Sequence, residues 1–193
     1  MTLSERLRKD LAAPAELSPI AGDLPEPLAT ASTAAAVLIA VTDRSQPGVL
    51  LTVRRENLRT HAGQVAFPGG RIDPGEDAAT AAIREANEEL GLDPSVVEPV
   101  AMLEEYRTVT GYIVTPLVAV IPPDLALAPH EPEVADWFEA PLARLLDPIH
   151  QRLETAVFAG RERRYWVIEW NERRIWGATA AMLVNLSRRL QWT

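Results

Sequence analysis

The 193-residue sequence contains no cysteine. Disulfides, thiol nucleophiles, iron–sulfur clusters and cysteine-ligated zinc are therefore excluded. Histidine is nearly as scarce. His61, His130 and His150 stand far apart, without metal-ligand spacing. Long apolar runs are missing too; a membrane-spanning helix needs about 18 or more apolar residues, so none is expected. The first residues, Met1 to Asp10, are charged and lack an apolar signal core, which makes a cytoplasmic protein the expectation. Basic charge is in deficit, with 19 bases against 27 acids and a net charge of -8. A broad basic face for nucleic acid is thereby excluded. Lys9 is the only lysine, and arginine supplies the other cations. Arginine suits bidentate phosphate contacts, so small anionic ligands stay open.

What is present is ordinary for a globular chain: 47% hydrophobic and 24% charged residues. The length fits one domain with its own core. Leu3, Leu7 and Leu11 recur at helical spacing over residues 1–13, and a proline-rich irregular arm follows to residue 33. The remainder, 34–193, reads as the body of a single domain. Apolar runs predict strands at 34–41, 48–53, 99–106 and 112–121. Ala79, Ala82, Ile83, Ala86 and Leu90 form an apolar stripe that predicts a helix over 77–90, with Asp77 as N-cap and Gly91 as C-cap. A short helix is expected at 141–146, a hairpin turn near Asn171, and a last helix over 178–190. The five tryptophans read as core residues. Mixed strands and helices with few βαβ units indicate an α/β or α+β fold with sandwich packing.

Chemistry gathers on the 77–90 helix. Glu85, Glu88 and Glu89 stand at i, i+3 and i+4, which places three carboxylates on one helical face. An isolated cluster of this kind is ordinarily a solvated acidic face. A cation among the oxygens would relieve the repulsion, and an all-carboxylate set suits hard ions such as Mg²⁺ or Mn²⁺. Magnesium commonly bridges to phosphate, which implies a phosphate ester or anhydride substrate. Glu76 precedes the helix after a Pro74-Gly75 turn, and Arg84 neighbours Glu85.

The stretch from Gly70 to Leu92 matches G-x5-E-x7-R-E-U-x-E-E-x-G-U at every fixed position, with Ala86 and Leu92 as the apolar U residues. Seven fixed residues give a chance match of order 10⁻⁸ per position. The segment thus resembles the Nudix box. The resemblance implies an α/β/α sandwich with a mixed β-sheet, and metal-dependent hydrolysis of a nucleoside diphosphate linked to another moiety. It assigns Glu85, Glu88 and Glu89, with Glu76 as a further member, to the metal, and Arg84 to positioning them. It also opens the box on Gly70. A further glutamate from a downstream loop often serves this family as base. Glu133 is preferred here over Glu131, Glu104 and Glu105, and Glu85 is the alternative base.

Upstream, Leu50-Leu51-Thr52, Arg59, Gly63 and Phe67-Pro68-Gly69-Gly70 resemble the signature of the coenzyme A pyrophosphatase branch. Arg54 and Arg55 depart from it, standing where the branch has Thr and Ser or Ala. The implied partner is a small nucleotide of the coenzyme A class, with no nucleic acid and no membrane; a homodimer is compatible with the chain. Arg54, Arg55, Arg59, Gly69 and Gly70 are the expected substrate contacts. His61 and Phe67 read as incidental and core respectively. The alternatives are a Nudix hydrolase for NADH or ADP-ribose, and a Nudix-fold binding module without catalysis.

Overall fold

A computed structural model describes residues 1–15, 17–23, 32–55, 63–158, 160–190 and 192. Helix α1 (Leu3–Ala12) opens the chain. Strands β1 (Thr33–Thr42) and β2 (Gly48–Arg54) follow, then two short strands, β3 (Val65–Ala66) and β4 (Gly69–Arg71). Helix α2 (Ala78–Leu90) leads to β5 (Glu98–Met102), β6 (Tyr106–Arg107), β7 (Tyr112–Ile121) and β8 (Val134–Pro141). A short helix α3 (Leu142–Leu146) precedes β9 (Gln151–Phe158), β10 (Arg161–Trp170) and β11 (Arg173–Trp176), and helix α4 (Ala178–Leu190) comes last.

Strands β1 to β8 form one mixed sheet, and β9 to β11 form a small antiparallel one. β1 runs parallel to β7 over ten residue pairs, from Thr33 opposite Tyr112 to Thr42 opposite Ile121. On its other side β1 changes partner. Val41 faces Val49 of β2, whereas Ala35 to Val37 face Gly69 to Arg71 of β4. The sheet therefore splits between β2 and β4.

Strand alternation sends side chains to opposite faces. Ala36, Leu38 and Ala40 meet α2, with Ala81, Ala82 and Ala86 buried against them. Ile39 and Val41 face the other way, into a larger core with Leu7, Leu145, Leu183 and Ile168. Helices thus cover both faces, the sandwich expected from the sequence. The mixed α and β composition is borne out as well.

Several local expectations are corrected. On α2, Ala82, Ala86 and Leu90 are buried as expected, but Ala81 and Glu89 join them, while Ala79 and Ile83 are only partly covered. β8 and β9 were not anticipated. The loop expected between 54 and 70 contains β3 and β4. Trp176 is 40% exposed and makes an edge contact with Tyr165 rather than filling the core. Trp170 stacks on Phe138 at 5.6 Å, on the rim of the larger core.

The stretch after α1 is fastened to the body. Asn185 on α4 accepts from the Ile20 N–H at 2.8 Å and donates to its carbonyl at 3.0 Å. Asp23 accepts from the Tyr106 hydroxyl at 2.6 Å and from the Val109 N–H at 2.7 Å.

Candidate active site

Asp77 caps α2 by accepting from the Thr80 N–H at 2.8 Å, and Gly91 ends the helix in the left-handed region at φ 66°. Only glycine adopts that conformation without strain. Between these caps, the alanines of α2 bring its carboxylates close to the split in the sheet. Glu89 is nearly fully buried. Its Oε2 accepts from the Gly69 N–H at 3.1 Å, and its Oε1 lies 3.9 Å from Arg54 Nη1. Burial pushes the Glu89 carboxyl up to about 7, because one backbone donor and a distant guanidinium compensate its charge incompletely. Burial raises Glu85 as well, against the lowering effect of Arg84. Glu85 packs against Gly70 so closely that a Cβ at residue 70 would run into its carboxyl group. A larger residue there would have to push the Glu85 carboxyl aside, so glycine serves by its size and not by backbone freedom.

Arg84 is the cation at the centre of the acids. It donates from Nε and Nη2 to the two Glu76 oxygens at 2.9 and 3.0 Å. It also reaches Glu85 at 3.0 Å, Glu88 at 3.2 Å and the Arg71 carbonyl at 3.0 Å. Glu76 additionally accepts from the Asp73 N–H at 3.1 Å, closing the turn before the helix. Both contacts hold its carboxyl below the usual range. Glu76 is thus spent on loop and arginine, whereas Glu88 remains half exposed.

Glu133 enters from the loop before β8. The His130 N–H donates to the Glu89 carbonyl at 2.8 Å, and the Arg55 N–H donates to the Glu133 carbonyl at 3.1 Å. The loop is so tied to the end of α2 that the Glu133 charge is felt by both Glu85 and Glu89. Glu104 pairs instead with Arg189, against α4. Arg54 faces the buried acid Glu89. The Nε atoms of Arg54 and Arg55 are buried without a hydrogen-bond partner among the described residues. Arg59 and His61 lie outside the described residues. Arg71, which the sequence reading passed over, borders the same split and donates to the Tyr112 hydroxyl at 3.4 Å. Its place directly after the paired glycines was the only available signal.

Among the described residues no three carboxyl or imidazole groups converge into a closed metal cage, and Arg84 stands between Glu85 and Glu88. The donor set nevertheless fits a hard divalent cation. It offers only oxygens, and burial raises the carboxyls of the buried Glu89 and the partly buried Glu85.

The family model for the Nudix domain matches residues 32–158, and on that match the chain belongs to the Nudix family. Members are hydrolases of nucleoside diphosphate derivatives and generally use divalent metal ions. The chain is 44% identical over 157 residues to the uncharacterized Nudix hydrolase NudL of Escherichia coli (strain K12), covering 81% of this chain and 82% of that one. The NudL protein of Escherichia coli O6:H1 (strain CFT073) is 43% identical over the same shares. Among solved structures, a MutT/nudix family protein from Enterococcus faecalis superposes with a TM-score of 0.51 at 13% identity, over 97% of this chain and 68% of that one. That likeness concerns the fold.

Proposed function

We propose that this protein hydrolyses the diphosphate of coenzyme A or its derivatives, giving 3′,5′-ADP and 4′-phosphopantetheine or its acyl form. Mg²⁺ or Mn²⁺ would be held by Glu85, Glu88 and Glu89. The carrying observation is the meeting, at the split in the sheet, of partly buried Glu85 and buried Glu89 with Glu133 and Arg54. A bound divalent ion supplies Lewis-acid polarisation of the diphosphate. The chain's own groups do the rest. Arg84 keeps Glu85 and Glu88 oriented from one side. The Glu133 carboxylate, or that of Glu85, takes the proton from the attacking water. Arg54 and Arg55 bring guanidinium groups to the phosphates, and their unpartnered Nε atoms support that role.

The coenzyme A reading rests on the upstream signature, whose described residues belong to β2 and to the stretch running into β4. The Thr52 hydroxyl donates to the Ala66 carbonyl at 3.1 Å and so ties β2 to β3. Phe67 is buried, and Gly69 presents its N–H to Glu89. Purified protein incubated with coenzyme A and Mg²⁺ or Mn²⁺ should release 3′,5′-ADP, read by mass spectrometry. Rates should exceed those with NADH or ADP-ribose measured side by side. Faster turnover of either competitor would overturn the coenzyme A assignment.

A further inference from the structure

The small sheet has an open edge. Among the described residues, β9 pairs with β10 on one side and with no strand on the other. A long exposed edge is a template for another strand. The register with β10 places Leu153 opposite Trp166 and Gln151 opposite Ile168, on the face that turns toward the core. Farther along β9 that face leaves the body of the domain. Leu153 is 40% exposed and Val157 75%, and Ile149, just ahead of the strand, is 77% exposed. Two large apolar side chains of one strand, and a third just ahead of it, stand in water and call for a cover. The opposite face of β9 carries Arg152 and Glu154, one residue to either side of Leu153.

We propose that β9 is the seam of a homodimer, in which two copies pair β9 with β9 antiparallel about a two-fold axis through Leu153. Residues equally far before and after Leu153 then fall opposite one another. Arg152 meets the partner's Glu154 and Gln151 the partner's Thr155, while Val157 runs on toward the partner's Ile149, in the turn ahead of its strand. Leu153 meets the partner's Leu153. Opposite charges face each other and apolar groups face apolar groups, identically from both sides, as an isologous interface requires. An axis through Glu154 would instead set two like carboxylates together. An axis through Thr155 would leave Arg152 away from the partner's Glu154. Within one copy Arg152 reaches Glu169 at 2.9 Å and Glu154 receives Arg174 at 2.5 Å. The cross-seam pairs therefore extend a charge network that each copy already holds. The two small sheets become one of six strands.

The absence of cysteine makes the axis directly testable. Leu153→Cys supplies a unique thiol that meets its own copy, within the roughly 4.5–5.5 Å Cβ separation of directly opposed strand residues. Mild oxidation should convert this variant into a cross-linked dimer on a non-reducing gel. Val157→Cys alone should cross-link poorly, and Gln151→Cys combined with Thr155→Cys should cross-link well. Sedimentation should show wild-type dimer at about 100 µM and below. Val157→Glu should sediment as a monomer with an unchanged circular dichroism spectrum. A monomeric wild-type protein at that concentration overturns the proposal. So does cross-linking of Val157→Cys as readily as of Leu153→Cys, or a Val157→Glu variant that still dimerises.

Discussion

The two faces of the central sheet are packed by opposite means. Helix α2 lies on alanine against alanine and leucine, with Ala81, Ala82 and Ala86 meeting Ala36, Leu38 and Ala40. The other face is filled by branched side chains from α1, α3, α4 and the small sheet. Small residues let a helix approach closely, and large ones bury more apolar area. The thin side can therefore deliver Glu89 to the backbone of β4 and leave only glycine-sized room beside Glu85. The thick side supplies the burial that keeps such a charged arrangement folded. The proposed site and the larger core lie on different faces of one sheet.

The division is broken most strongly by Glu88→Gln. This half-exposed carboxylate touches no core residue, so the thermal midpoint should stay where it is. The hydrolysis rate should fall about 10³-fold. Initial rates and calorimetry on the same preparation check both halves, and a near-normal rate would remove Glu88 from the ion's ligands. Leu145→Ala tests the thick face. Leu145 is fully buried, and its truncation should cost about 3 kcal/mol in urea unfolding, while kcat per folded molecule is retained. A matching loss of kcat would show that the faces are not separable. The smallest effect is a pH dependence. In the folded, metal-free chain Glu89 titrates near 7 rather than at its ordinary 4.5. The folded state thus holds an extra proton between those values. Its stabilising contribution is full below about 4.5 and is lost as pH rises through about 7. In chelator, unfolding free energy should therefore rise by about 2 kcal/mol from pH ~7.5 to ~5.5, and Glu89→Gln should flatten that slope. The lowered carboxyls of Glu76, Asp77, Asp93 and Glu98 act in the opposite sense, below their ordinary values. A flat wild-type profile would deny the buried charge its role.

Elements with local signals were legible in the sequence. Asp77 and Gly91 mark α2 to within a residue of its ends, and the Asn171 turn, with positive φ at Asn171 and Glu172, closes the β10–β11 hairpin as expected. β8 and β9 were not legible, because their signal lies in their partners. β8 owes its extended form to pairing with β2, 80 or more residues earlier, from Gly48 opposite Pro141 to Arg54 opposite Val134. β9 is held by β10 and leaves its apolar residues in water. The burial of Glu89 was hidden for a related reason. Hydrophobic periodicity cannot report a carboxylate placed on the inner face of a helix. The spacing of Glu85, Glu88 and Glu89 was legible in the sequence, and the proposed ligation builds on that spacing.

The fastening of the segment after α1 bears on how much chain makes one cooperative unit. The family match starts at residue 32 and stops at 158, inside the β9–β10 hairpin. Yet Leu7 and Leu11 sit in the same core as the central strands, and Asn185 spends its whole amide on Ile20. A chain trimmed to the matched stretch would lose α4, open the seat of Leu7 and Leu11, and strip Tyr106 of its Asp23 acceptor. The stretch that inheritance marks is therefore shorter than the stretch that must fold together.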